Sequence, residues 1–190
     1  MPKIETETAP KTESSKAAPR RRKATRVKAV RDAAVSYFQA VADRDPDAMA
    51  RHWHPDGVDD IVPLGVFRGP GAVRALFRET FAAMPDMQTT VIAVTADDSV
   101  AAVQWRSEGT FTGAPFRGIE PTGRRVELRG TDCLEIGDDG LIQRNTAIYD
   151  GAAFARAIGM LPVEDSGADR AMRGAFNAFT RVRKAARSRA

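Results

Sequence analysis

From Val27 onward, Val30, Ala34, Val35, Phe38, Val41 and Ala42 recur at intervals of three and four, the spacing of one face of an α-helix. The pattern ends at "DRDPD", where Asp45 followed by Pro46 marks a new helix start, expected to run through Met49 to about Trp53. "GVDDIVPLGVF" predicts a short strand and loop. "RGPGAVRALFRETFAAMPD" predicts a third helix, opened by Pro70 and closed before Pro85, with Val73, Leu76, Phe77, Phe81 and Met84 on one side. The period then changes to two. "MQTTVIAVTA" and "VAAVQWRSEGTF" flank "DDS", and "RRVELRGTDCLEI" and "LIQRNTAIYD" flank "GDDG", so each pair predicts a β-hairpin. "GAAFARAIGMLP" adds a turn or two of helix stopped by Gly159 and Pro162.

Helices followed by antiparallel strands predict an α+β domain, with helices covering one face of a curved sheet. Residues 1–25 are rich in Lys, Glu, Thr, Ser, Ala and Pro and poor in large apolar side chains, so they are expected to form a disordered basic tail. Residues 26–163 form the domain. Residues 164–190 predict a basic amphipathic helix, on which Met172, Phe176, Phe179 and Val182 make an apolar stripe. That stripe is expected to dock on its own domain or a partner subunit, with a membrane-surface or calmodulin-target helix as the alternative.

Composition narrows the function. Of 190 residues, 43% are hydrophobic, which suffices for a core, yet no apolar run is long enough to span a membrane. The N-terminus lacks the apolar middle of a secretory signal, and a lone cysteine, Cys133, excludes an internal disulfide framework. A cytoplasmic protein without a membrane partner is expected. The net charge of +4 conceals a partition: residues 1–26 carry 8 bases against 3 acids, residues 165–190 carry 7 against 2, and residues 27–164 carry 14 against 20. An acidic middle disfavours a nucleic-acid-binding fold.

The candidate chemistry centres on Asp132. It stands in phase with Leu128, Leu134 and Ile136, so a strand would turn its carboxylate toward the apolar side. An even-length loop at "GDDG" places Asp132 on the same face as Leu128, Gly130, Leu134, Leu141, Gln143, Asn145, Ala147 and Tyr149. Asp132, Gln143, Asn145 and Tyr149 would then cluster, and an aspartate in such surroundings suits general acid–base work. The alternative is an aspartate that accepts hydrogen bonds merely to settle the core.

Trp105, in phase with Ala101 and Val103, is expected in the core or a pocket wall, while Arg106 and Glu108 face the other way. "HWHPD" holds the only two histidines, His52 and His54. These are too few ligands for a metal site, so no metal is expected, and Trp53 with one histidine would line a pocket mouth or close the short helix. Cys133 alternates away from Asp132, which disfavours a thiol nucleophile. "FRGPGAVR" follows no phosphate-binding pattern.

From about Ala29 to Pro162 the chain resembles the SnoaL-like polyketide cyclases of the nuclear transport factor two-like superfamily, which also includes ketosteroid isomerases and limonene epoxide hydrolase. The resemblance rests on "FRGPGAVRALFRETFAAMPDMQTTV", "WRSEGTFTGAPFRGIEPTGRRVELRG" and "DGLIQRNTAIYDGAAFARAIGMLP". It implies a cone-shaped, curved antiparallel sheet wrapped around N-terminal helices, an apolar cavity, a homodimer through the outer sheet face, and catalysis without a cofactor. Such cyclases place a His or acid near positions 132, 145 and 147, which here hold Asp132, Asn145 and Ala147.

Two functions fit these residues. One is a cofactor-independent enzyme acting on a small apolar carbonyl compound, with Asp132 and Asn145 catalytic and Trp53, His54, Phe67, Trp105, Phe116 and Tyr149 binding substrate. The other is a non-catalytic binding or dimerisation module of the same shape. Epoxide hydrolysis would need an Asp, Arg, Asp arrangement in the cavity, and Arg106 and Arg129 face outward.

Overall fold

The computed structural model describes residues 17–187; most of the expected N-terminal tail, residues 1–16, lies outside them. Helix α1 (Ala17–Ala42) begins ten residues before Val27, taking in the last part of the segment expected to be disordered. Two arginines hold it over the sheet. Arg26 donates to the carbonyls of Asp98, Ile136 and Gly137 at 2.7–3.0 Å, and Arg31 donates to Val94 O at 2.6 Å. The buried face runs through Val30, Ala34, Tyr37, Phe38 and Val41, while Val35 is exposed. Helical spacing from Val30 and Ala34 selects Tyr37, which the sequence reading passed over.

Helix α2 (Pro46–Arg51) starts where expected. Asp45 caps it, accepting from the amides of Asp47 and Ala48, and His52 closes it. The next segment is longer than predicted: strand β1 (Trp53–Ile61) and strand β2 (Gly65–Arg68) form an antiparallel hairpin. Helix α3 (Gly69–Ala83) buries Val73, Leu76 and Phe81. Strands β3 (Gln88–Ala96), β4 (Val100–Thr110), β5 (Arg125–Ile136) and β6 (Ile142–Tyr149) follow, and helix α4 (Gly151–Ala157) is capped by Asp150. Helix α5 (Gly167–Arg187) ends the described chain.

The six strands form one sheet in the order β2-β1-β6-β5-β4-β3. Both expected hairpins are present, and β4 pairs antiparallel with β5. The exception to an antiparallel sheet is the junction of β1 with β6, which is parallel. The chain reaches it by a long crossover through α3 and the strands on the far side, as a parallel pair requires. The β5–β6 register is the one that parity selects, Asp132 opposite Ala147 and Gly130 opposite Tyr149. Near the turn a bulge breaks it, pairing Ile136 with Ile142. Ile142 is therefore buried in place of Leu141, and Gln143 lies by the Gly137 turn instead of joining Asp132.

Apolar packing forms two clusters. One gathers α1, α2 and the inner faces of β4 to β6 around Tyr37, Met49, Trp53, Val103 and Leu134. The other gathers α3, α4 and the far ends of the strands around Leu76, Met84, Phe111, Phe116 and Ile158. The loop after β4 also closes the end of α3: the amides of Gly113 and Ala114 donate to the carbonyls of Ala83 and Ala82, both at 2.9 Å.

That closure predicts a specific sensitivity. A Cβ at position 113 would stand 1.9 Å from the Ala82 carbonyl oxygen. Gly113→Ala should lower unfolding free energy by about 1–3 kcal/mol in urea titrations, the usual cost of overpacking; an unchanged midpoint would show that this loop does not hold α3.

Candidate active site

Four strands contribute one polar row across the inner sheet face. Trp105 comes from β4, Asp132 from β5, Asn145 from β6 and Asp59 from β1. In β1, Asp59 shares the inward phase of Gly57 and Ile61. The parallel register sets Asp59 directly opposite Asn145, and the β5–β6 register sets Asn145 one diagonal step from Asp132. The amide nitrogen of Asn145 donates to both carboxylates, to Asp132 Oδ2 at 2.7 Å and to Asp59 Oδ1 at 3.0 Å. Trp105 Nε1 donates to the other oxygen of Asp132 at 2.7 Å.

The Trp105 bond depends on a glycine. Gly130 pairs with Trp105 across β4–β5, and a Cβ there would stand 2.4 Å from the indole ring. The missing side chain lets the indole lie flat over β5 and reach Asp132. Tyr149 then packs edge-on against Trp105, and Phe154 against Tyr149.

Asp59, Asp132 and Asn145 are exposed by 1%, 7% and 1%. Burial raises the pKa of Asp59 to about 7, with the nearby Asp132 carboxylate adding to the rise and the Asn145 hydrogen bond opposing it. Burial also raises Asp132 to about 6, opposed by the hydrogen bonds from Trp105 and Asn145. The difference has a clear cause. Asp132 has two donors and takes the negative charge first; Asp59 has one donor and a charged neighbour, so it keeps its proton longer. The two titrate as a pair. Burial also raises both tyrosines, Tyr149 to about 12 and Tyr37 well above its ordinary value, so both remain hydroxyl donors at neutral pH.

These groups face a cavity of about 110 Å³ that lies where the two apolar clusters meet. Its polar lining comprises Asp59, Asp132, Asn145, Tyr37 and Tyr149, with Thr80, Thr89 and Ser107 farther along; Phe38, Leu76, Phe77, Met84 and Phe116 supply much of the apolar wall. Since an engineered apolar cavity on the order of 150 Å³ accepts benzene, the space is of single-ring scale.

The structure brings together Asp132, Asn145, Trp105, Phe116 and Tyr149 of the residues singled out from sequence. Trp53, His54 and Phe67 do not line the cavity. Trp53 packs edge-on against Tyr37 in the neighbouring core, His54 Nδ1 accepts from the Asp56 amide, and Phe67 lies under the Arg117 guanidinium. Asp59 and Tyr37 escaped the sequence reading. The signal for Asp59 was present, because it shares the phase of Ile61 in β1 just as Asp132 shares that of Leu134.

A model of the SnoaL-like domain family matches residues 34–145. No curated protein matches the chain. Among solved structures, AclR of Streptomyces galilaeus, a candidate hydroxylase, is 20% identical, with 83% of this chain and 98% of that chain covered at a TM-score of 0.64. A candidate SnoaL-like polyketide cyclase from Jannaschia sp. CCS1 is 21% identical, covering 70% and 96% at 0.60. IdmH of Streptomyces antibioticus, a candidate polyketide cyclase, is 22% identical, covering 68% and 98% at 0.58. At these identities the likeness shows the fold, a curved, unclosed sheet with helices on its inner side, as in a ketosteroid isomerase-like relative. With more than half of its length matched by the family model, the chain belongs to the SnoaL-like domain family.

Proposed function

We propose that the protein is a cofactor-independent enzyme that moves a proton on a small, largely apolar carbonyl compound, as in enolisation, isomerisation or intramolecular ring closure. The observation that carries this reading is the pair of buried carboxyls, Asp132 and Asp59, joined by one amide and turned toward an apolar cavity. Ionised Asp132 removes a proton from the carbon next to the carbonyl. The enolate oxygen that develops is met by the hydroxyl of protonated Asp59, with Tyr37 and Tyr149 as neighbouring polar groups. Asp132 then returns the proton to the product carbon, so no electron carrier is needed. Asn145 holds both carboxyls in place, and Trp105 fixes the face that Asp132 presents.

The same reading includes a homodimer through the outer sheet face. There Arg106 pairs with Glu108 and Glu127, Arg125 pairs with Glu108, and Ile148 stands exposed.

A test that requires no knowledge of the substrate is deuterium exchange: small cyclic ketones incubated with the protein in heavy water and followed by NMR. Asp132→Asn should slow exchange about 10²–10⁴-fold while leaving the thermal unfolding curve cooperative. An exchange rate equal to that of the wild type would remove Asp132 from the chemistry and favour a binding module.

The pH profile should be bell-shaped, rising through about 6 as Asp132 ionises and falling through about 7 as Asp59 loses its proton. Asp59→Asn should abolish the alkaline fall and keep the acid limb. Gly130→Ala, by displacing the Trp105 donor, should move the acid limb to higher pH, since a lost hydrogen bond to the charged form raises a carboxyl further. An acid limb that stays put would show that Trp105 does not position the base.

Stability should respond with a definite sign. The folded-state values near 7 and 6 lie above the unfolded value of about 3.9. The stabilisation from keeping these groups protonated is therefore complete below about pH 4 and is lost as pH rises through about 6 to 7. Asp59→Asn should flatten this dependence and stabilise the fold at pH 8 on the order of 2–4 kcal/mol. A variant less stable than the wild type at pH 8 would contradict the assignment of Asp59 as a buried group under electrostatic pressure.

A further inference from the structure

Helix α5 does not lie against its own domain, the first of the two dockings expected from sequence. From Arg170 to Lys184 every residue except Thr180 is exposed. Its apolar stripe is among the exposed positions: Met172 at 43%, Phe176 at 68%, Phe179 at 61% and Val182 at 67%. At about 100° per residue these four side chains fall within an arc of about 120°, and Arg170, Arg173, Arg181 and Lys184 fall on the opposite side. Beyond Asp169 the helix carries no acid, whereas Arg170, Arg173, Arg181, Arg183, Lys184 and Arg187 are basic. Asp169 accepts from the Asp165 amide and pairs with Arg173 at 3.1 Å, Asp165 pairs with Arg173 at 3.0 Å, and Arg170 donates to the Asp165 carbonyl at 2.6 Å. The charge of Arg173 is therefore already met, and the bases offered to an outside anion are those of the last two turns, among them Arg181, Arg183 and Arg187.

Water is an unfavourable partner for two phenylalanines, a methionine and a valine held side by side. A nucleic acid would satisfy the arginines and leave the stripe uncovered. An anionic bilayer surface satisfies both faces together: the apolar side chains enter the boundary between headgroups and acyl chains, and the bases meet lipid phosphates. The arrangement at the boundary fits as well, because Arg183 lies over the Phe179 ring at 5.9 Å, a long side chain that can keep its charge at the headgroups while its stem stays with the apolar face. Among the described residues no helix is long and apolar enough to cross a membrane, so the contact lies in the plane of the surface.

We propose that α5 is a membrane-surface helix that holds this domain on an anionic phospholipid bilayer. Membrane contact by α5 does not involve the cavity or the residues that line it.

The test is flotation of the full-length protein with vesicles of phosphatidylcholine alone, and of phosphatidylcholine mixed with about equal phosphatidylglycerol. The expected result is flotation with the anionic vesicles only, lost in about 0.5 M salt as screening shortens the reach of the arginines. Phe176→Ser/Phe179→Ser should weaken partitioning about tenfold or more while leaving the unfolding midpoint of the domain unchanged, because both side chains are exposed. Three results would overturn the proposal: no flotation with anionic vesicles, wild-type flotation of the double variant, or an α5-dependent dimer in sedimentation equilibrium that ignores vesicles and is dispersed by the double variant.

Discussion

The site depends on a single amide that serves two buried carboxyls. Asn145 gives one hydrogen bond to Asp132 and one to Asp59, and two carboxylates that close cannot both ionise readily in a low-dielectric interior. Asn145 makes their proximity tolerable, and in doing so creates a pair that carries one proton near neutral pH. Its own carbonyl oxygen is left without a hydrogen-bond partner among the described residues.

The sheet order is what makes one amide sufficient. Had β6 been an edge strand, Asn145 would face a single neighbour. Because the chain returns β6 between β5 and β1, its inward positions meet side chains from both flanks, Asp132 on one side and Asp59 on the other. The parallel β1–β6 junction sets the pairing of Asp59 with Asn145, and a one-residue slip there would turn Asp59 outward and put Asp60 or Val58 in its place. Asp60 shows the other fate of a neighbouring acid: it faces outward and pairs with Arg144 at 3.2 Å.

How much of this could be read from sequence follows from the range of the interactions involved. The hairpin around Asp132 was legible because its register is fixed locally, by an even turn and alternating side chains, and Asp132, Asn145, Ala147 and Tyr149 share a face as parity requires. Gln143 was misplaced because the bulge at Glu135/Ile136 offsets the pairing without leaving a mark in the hydrophobic pattern. The partnership of Asp59 with Asn145 spans 86 positions, and nothing local selects a parallel neighbour over the antiparallel sheet that the hairpins suggest. Trp53 and Phe67 are large apolar side chains that serve a core as readily as a pocket wall, and periodicity does not separate the two. The stripe of α5 is legible because apolar periodicity marks a face to be covered, but that periodicity does not say by what, and its own domain does not cover it.

The alanine at position 147 bears directly on the chemistry. The residue opposite Asp132 has only a methyl group. A larger side chain there would stand over the Asp132 carboxyl and compete for the cavity. With alanine, Asp132 lines open space while its two oxygens stay tethered from the sides, by Trp105 and by Asn145. A second buried acid stands in β1, at Asp59, whose backbone pairs with β6 two residues before the alanine, and Ile61 occupies the position beside Ala147. Asn145, on the strand between them, donates to both Asp59 and Asp132 and so couples the two carboxyls.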